Sequence, residues 1–371
     1  MSSPKLGIGI IGAGEVFQVC HAPCLLLLSH LFTLESICDL SPTTATHCAT
    51  KFSIPHHTTN PHDVITHPTV QAVFILTSDE SHAQLTIASL RAGKNVFLEK
   101  PITLSLPSVN AILAAEQAAP NGARVFVGYM RRYAPSYLGA FKRELATIPR
   151  ILYARVRDFS GPNAQFVNQS GTFPIKNLDY PSHTAQERET RLETLFSEVF
   201  PNQPITDEKR KYCRFLGSLG SHDISIMRET LGFPEEVVGV SVHDPFYTAM
   251  MRFRNRDGSG YSVTYESGID AVPVFDAHVA VYGERKRVVI KYDSPYVKGL
   301  PIYVEVEEVN EHGEVQKRTM LSSYEDAYTA ELQAVYEAFV HGKEIKTSVE
   351  DARQDLQIYD LMYKKWGEQS S

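Results

Sequence analysis

The chain has 371 residues, 43% of them hydrophobic and 21% charged, with a formal net charge of −7. That length exceeds what one hydrophobic core usually supports, so two domains are expected, and no apolar run reaches the roughly 18 residues that mark a membrane span. Phosphate neutralisation needs a clustered basic surface, so the acidic balance argues against nucleic acid; Arg131-Arg132 and Arg285-Lys286-Arg287 sit in apolar patterning and read as strand or helix edges.

In the first third of the chain, short apolar runs alternate with helical stretches, the pattern of βαβ units around a parallel sheet. Strands are expected at residues 7–11, 33–38, 72–76, 95–97 and 124–127, and helices at 15–29, 81–92 and 106–118. Beyond Tyr129 the texture changes. Residues 151–159, 237–242, 250–254, 261–267 and 277–282 read as long alternating strands. Turn signals at Asp257-Gly258 and Gly283-Glu284 imply hairpins, hence a large, mainly antiparallel open sheet. Helical periodicity returns at 325–341 and 349–365, on either side of Gly342. The expected class is α/β: a doubly wound, dinucleotide-binding domain over 1–128 and an α+β substrate or oligomerisation domain over 129–371. The polar stretch 161–212 holds one expected helix, 184–200, and its length marks an insertion or lid rather than a simple connection.

Gly12-Ala13-Gly14 follows the first strand and opens the first helix. In that context a glycine turn lets a pyrophosphate approach backbone N–H groups at a helix N-terminus, the Rossmann arrangement. The cofactor turn then comprises Gly12, Gly14, Glu15, Val16 and Phe17. Phe17 stands where a small residue usually permits close helix–strand packing, so the fingerprint reads GxGxxF. Asp39 closes the second strand, where a carboxylate accepts hydrogen bonds from the adenosine ribose hydroxyls and repels a 2′-phosphate. No Arg immediately follows it, so NAD is expected ahead of NADP. The alternative is that Asp39, beside Ser41-Pro42, only starts a turn.

Residues 91–102, RAGKNVFLEKPI, resemble the segment aGkhVxxEKPxa of the Gfo/Idh/MocA family, the oxidoreductases related to glucose-fructose oxidoreductase, inositol 2-dehydrogenase and MocA. Residues 72–82, AVFILTSDESH, resemble its DaVxiaTPnxxH, with Thr77 and His82 retained and Ser78 in the proline's place. His21 and Pro23 fit its HxPxL. Residues 127–135 resemble vGfxrRfxP, and residues 217–224 resemble part of GxLxDxGxHxxD. The likeness covers the first domain almost continuously and the second in islands, leaving the insertion outside. It implies cofactor contacts at Thr77, Ser78, His82, Glu99 and Lys100, a homodimer or homotetramer, and hydride transfer between NAD(P) and a carbinol or carbonyl carbon. The substrate would be a sugar, polyol, cyclitol or related small metabolite.

Oxidising a secondary alcohol requires a base for the hydroxyl proton and a cation that steadies the developing alkoxide. Lys100 closes a strand whose carboxyl end lines the ligand crevice of a doubly wound sheet, although a lone lysine is ordinarily a surface residue. His222 aligns with the family's catalytic histidine, although a lone histidine is more often structural. The acidic residue that many relatives place four positions earlier is Ser218 here. Asp223 either compensates or caps the helix that follows. Tyr129, Arg131 and Arg157, with Asp223, are candidate substrate contacts, against the ordinary reading of aromatics and arginines as packing residues.

Five cysteines without CxxC spacing and an apolar start too short for a secretory signal suggest a cytoplasmic protein. His56, His57, His62 and His67 lie in what reads as a Pro/Thr/Asn-rich linker without zinc-site spacing, so no metal is expected. Residues 218–222 lack the GxSxG turn of a hydrolase. Two rival readings stay open: a redox-neutral epimerase or glycosidase that uses NAD, and a non-catalytic dinucleotide-binding regulator.

Overall fold

A computed structural model describes residues 4–177 and 179–370, and the chain divides into two compact units. The first unit gathers the chain up to Tyr129 together with Thr172–Gly217 and Glu331–Leu356. Its sheet contains β1 (Leu6–Ile11), β2 (Phe32–Cys38), β3 (His56–Thr58), β4 (Ala72–Ile75), β5 (Asn95–Glu99) and β6 (Val125–Gly128). All neighbours pair in parallel, in the order β3-β2-β1-β4-β5-β6. β1 and β4 are buried at every residue, as expected of central strands covered on both faces. Strand order reverses between β1 and β4, so the crevice beyond their carboxyl ends is the topological switch point, where doubly wound sheets take ligands.

Two observations revise the expected elements. His56 and His57, placed in a linker by their polar surroundings, form the edge strand β3 against Ser36 and Ile37. The first helix is wound as a π-turn over Phe17–His21 before continuing as Ala22–Leu27. Phe17 is fully buried there and meets Phe52 edge-on, ring centroids 5.3 Å apart. The wider π-turn carries a large ring where the usual fingerprint has a small residue.

Part of the chain beyond the expected domain boundary packs on this first sheet. The helix Ala327–His341 brings Tyr336 against Phe32, centroids 5.8 Å apart, and Tyr336 donates a 2.7 Å hydrogen bond to the Pro4 carbonyl. Val127 N–H donates to the Thr347 carbonyl at 2.9 Å.

The second unit gathers Met130–Gly171, Ser218–Ala330 and the chain from Gln357. Its strands are β7 (Ile151–Ser160), β8 (Glu236–His243), β9 (Phe246–Arg254), β10 (Gly260–Ile269), β11 (Phe275–Gly283), β12 (Lys286–Tyr292), β13 (Tyr303–Val309) and β14 (Val315–Met320). They form one sheet ordered β14-β13-β12-β11-β7-β10-β9-β8, antiparallel except where β7 meets β10. Burial alternates along β7, β9 and β10, the period-2 signature of a sheet with one covered face. Ala154, Val156 and Asp158 point to that face on β7. Among the described residues, no helix is long and apolar enough to cross a membrane.

Candidate active site

Five parallel strands deliver chemistry-bearing residues to one rim of the first sheet. Gly12 follows β1, Asp39 follows β2, Thr77 comes two residues after β4, Lys100 follows β5 and Tyr129 follows β6. Gly12 has φ +100°, and a Cβ there would stand 2.7 Å from both the carbonyl carbon and oxygen of Leu76. Only glycine fits that conformation and approach. At Gly14 the surroundings are open, with no heavy atom within 4 Å of a Cβ position. Gly14 and Glu15 are exposed and Val16 half-buried, whereas the side chain of Phe17 belongs to the core.

Gln18, which sequence reading passed over, braces this turn. Its Nε2 donates to the carbonyls of Ala13 (2.8 Å) and Ile175 (3.0 Å), and its Oε1 accepts from Ile175 N–H (2.9 Å). Asp39 accepts from Ala13 N–H and Ser41 N–H, each at 2.9 Å, so it both starts the following turn and ties it to the glycine loop. Burial pushes its carboxyl above the ordinary range against the pull of those two bonds, and the nearby charge of Asp179 adds to the rise. Thr77 holds its hydroxyl oxygen buried without a hydrogen-bond partner among the described residues. Ser78 is exposed and donates to Glu80 at 2.5 Å. An open glycine turn, a strand-end carboxylate and an orphaned hydroxyl at the switch point fit a dinucleotide.

His82 is buried, with its ring nitrogens 2.7 Å from the Pro101 carbonyl and 3.0 Å from the Thr77 carbonyl. The ring thereby ties the loop after β4 to the loop after β5. Glu99 is buried as well. It stands 2.7 Å from His21 Nε2 and accepts from Lys100 N–H at 3.0 Å. Burial pushes this carboxyl up, but the hydrogen bond and charge of His21, helped by Lys100, outweigh it and hold Glu99 below its ordinary range. Lys100 itself is half-buried, with a cis peptide bond to Pro101. Tyr129 is almost fully buried.

In the second unit His222 is half-buried in the helix Ser221–Leu231, which a π-turn over Leu216–Gly220 precedes. Asp223 does not cap that helix. Its Oδ1 pairs with Arg131 Nη1 at 2.7 Å, and Arg131 Nη2 pairs with Asp158 Oδ2 at 2.6 Å, all three side chains shut from solvent. Ser267 donates to Asp223 at 3.3 Å, and the guanidinium lies over the Tyr292 ring at 5.3 Å. Arg131, expected at a strand or helix edge and as a substrate contact, is thus an interior clamp that fixes the His222 helix to β7. Arg132 and Glu229 form a second clamp on the same helix, with Lys142 on the other oxygen of Glu229 at 2.6 Å.

Arg157 also departs from expectation. Strand alternation sends it to the face opposite Asp158, where it pairs with Glu266 (2.6 Å) and Asp276 (3.1 Å). Ser218, in the place of the family's acidic residue, is exposed, and its carbonyl accepts from Ser221.

A six-stranded parallel sheet with this rim, together with a large mixed sheet, defines a two-unit dinucleotide-binding protein. Residues 6–129 match the oxidoreductase family with NAD-binding Rossmann fold, and residues 201–370 match that family's C-terminal alpha/beta domain. The chain belongs to the Gfo/Idh/MocA family and carries its NAD-binding domain. It is 24% identical to myo-inositol 2-dehydrogenase of Thermotoga maritima over 352 residues, 94% of this chain and 92% of that enzyme. It is 34% identical to scyllo-inositol 2-dehydrogenase (NAD(+)) of Bacillus subtilis over 126 residues, only 33% of this chain and 36% of that enzyme. A levoglucosan dehydrogenase solved with NADH and levoglucosan shares the fold, with TM-score 0.74 and 18% identity over 98% of both chains. So does a 3-ketoreductase from Actinomadura kijaniata solved with NADP, with TM-score 0.71 and 16% identity over 98% of both chains.

Proposed function

We propose that this protein is an NAD-dependent dehydrogenase or reductase acting on a secondary alcohol, or the matching ketone, of a cyclitol, sugar or other polyol. The observation that carries the reading is the rim itself, where Gly12, Asp39, Thr77 and Lys100 meet the carboxyl ends of the parallel strands at the switch point. The inositol dehydrogenases among its relatives favour a cyclitol within that class.

Bound there, the nicotinamide supplies or accepts the hydride. The chain's own residues do the rest. The backbone of Gly12 to Val16 receives the pyrophosphate, and Asp39 receives the ribose hydroxyls, which selects NAD. The ammonium of Lys100 steadies negative charge as it develops on the substrate oxygen, and His222 takes or returns the hydroxyl proton. Glu99 holds the Lys100 backbone, and the Arg131–Asp223 pair holds the helix that carries His222. Both act as positioning residues. Assembly through the second sheet as a dimer or tetramer belongs to the same reading and is measured by light scattering.

The test is a panel of inositols, sugars and other polyols, with their keto forms, offered with NAD+ or NADH and followed by absorbance of the reduced coenzyme. Turnover of a cyclitol or sugar with net change in the coenzyme is expected. A product formed with no net coenzyme change would instead mark a redox-neutral enzyme, and failure to bind either coenzyme would remove the reading altogether.

A further inference from the structure

The segment that begins at Thr172 lies on the dinucleotide unit and follows the glycine turn and the first residues after β2. Lys51 Nζ donates to the carbonyls of Thr172 (2.6 Å) and Phe173 (3.2 Å). The Gln18 amide then grips both backbone groups of Ile175 while holding Ala13 in the turn. Asp179 seats its carboxylate on the start of the helix Pro42–Lys51. One oxygen accepts from Ser41 Oγ, and the other accepts from Thr43 Oγ1 at 2.6 Å and Thr43 N–H at 3.4 Å. Ser41 joins the two acids, since its N–H donates to Asp39 and its hydroxyl donates to Asp179. The described segment from Thr172, together with Asp179, is therefore a strap that delivers a second carboxylate beside the one at the end of β2.

NAD and NADP differ only at the adenosine ribose, where NADP carries a phosphate on the 2′-oxygen. A Rossmann domain handles that position with the acid that ends the second strand and with the residues just beyond it. Here those residues are Ser41 and Thr43, whose hydroxyl and N–H donors at a helix start are the kind of group a phosphate uses. Asp179 already occupies both hydroxyls and the Thr43 N–H, and Asp39 holds the Ser41 N–H. We propose that Asp179 is a specificity-determining residue for the coenzyme: its carboxylate fills the donors that a 2′-phosphate would need and repels that phosphate, so that the insertion enforces NAD(H). This rests on the dinucleotide reading above and adds to it a determinant some 140 residues away from Asp39 in sequence, Asp179 against Ser41 being separated by 138 positions.

A simpler role would leave Asp179 as an acid that stabilises a helix start. The two roles part in their consequences, because a helix-stabilising acid changes thermal stability without changing the ratio of coenzyme affinities. The side chain is exposed, so its replacement leaves the core intact. Fluorescence or calorimetric titration of the full-length protein with NADH and with NADPH gives that ratio directly, with no substrate needed.

Asp179→Ala should tighten NADPH by about tenfold while NADH stays within about twofold, because removing the acid both frees the donors and removes the repulsion. Asp179→Asn, which keeps an oxygen on the donors and removes only the charge, should give a smaller gain. An unchanged NADPH-to-NADH ratio in Asp179→Ala, including NADPH binding that stays undetectable, overturns the proposal while leaving the NAD site standing. Wild-type protein that binds neither coenzyme, or that prefers NADPH, overturns the underlying reading with it.

Discussion

His21 Nε2 and Glu99 Oε1 stand 2.7 Å apart in the interior of the first unit, joining the first helix to the end of β5. The pair fixes the residue immediately before Lys100, and the other Glu99 oxygen receives the Lys100 N–H. Removing Glu99 takes this contact from a desolvated ring and the Lys100 N–H, a loss of about 1–3 kcal/mol. Glu99→Ala should destabilise the protein by that order in chemical denaturation. The pH dependence has a definite sign. Glu99 is held below its ordinary range when folded, while the unfolded carboxyl titrates near about 4.3. Its contribution is complete above that pH and is lost as pH falls through the folded value. Glu99→Gln should therefore flatten the acid side of the stability curve; an unaltered acid limb would contradict the pairing.

The two glycines of the turn should respond differently to the same change. Gly12→Ala demands a positive φ from an L side chain and drives a methyl against the Leu76 carbonyl, so it should cost about 2 kcal/mol or more in stability. Gly14→Ala meets no protein atom and should melt within a few degrees of wild type. Its methyl instead enters the space through which a pyrophosphate approaches the backbone, so NADH affinity should fall about tenfold or more. Thermal melts with NADH titrations on both variants check the contrast, and a Gly14→Ala protein with undiminished NADH binding would count against the pyrophosphate position.

Much of this rim is legible in the sequence, because its information is local. Gly12 and Gly14 sit between an apolar strand and a helix, Asp39 ends the next strand, and residues 91–102 carry a short, dense likeness. What stayed hidden depends on contacts distant in sequence. Gln18 looks like an ordinary helix residue until its amide meets Ile175, 157 positions away. Arg131 and Asp223 are 92 positions apart, and nothing near either one foretells an interior ion pair. β13 and β14 escaped because YVEVEEV and VQKRTM are rich in charge, their acids and bases pairing across the exposed edge, as Lys317 does with Glu307 at 2.6 Å. Alternation along β7 fixes which residues share a side but not which side is covered, so the sequence does not tell the face of Arg157 from that of Asp158.

The clamp around Arg131 makes a second pH-dependent prediction, opposite in sign to the first. Burial raises both acids beside Arg131: Asp158 above the ordinary range, and Asp223, with the charge of Asp158 added, well above it, each against the pull of Arg131. A carboxyl with a raised folded value takes up a proton on folding. Its effect on stability therefore becomes unfavourable as pH rises from about 3.9, the unfolded value, through the folded one. Asp223→Asn keeps an acceptor for Arg131 without the charge, so it should cost less than about 1 kcal/mol and flatten that decline. Asp158→Asn removes the charge that balances the guanidinium and should cost about 3 kcal/mol. Calorimetric melts of both variants across the acid-to-neutral range test the asymmetry; equal losses would contradict it, and a larger loss in Asp223→Asn would move the proton to Asp158.

Lys100 and His222 are each half-buried, an exposure that suits the roles proposed for them. The helix bearing His222 is fixed through its neighbour Asp223, and the strand end bearing Lys100 through its neighbour Glu99. Replacing either side chain should thus leave those supports in place. Lys100→Met and His222→Gln should each lower kcat by about 100-fold or more, the usual scale for losing a proton-transfer or charge-stabilising group. NADH affinity should change little in His222→Gln, since no part of the dinucleotide turn is altered. A substrate deuterated at the reacting carbon should show a larger isotope effect on kcat in both variants, as hydride transfer becomes rate-limiting. If kcat survived in His222→Gln while KM rose, the imidazole would be a substrate-binding group and the base would have to be sought elsewhere, with Lys100 the first alternative.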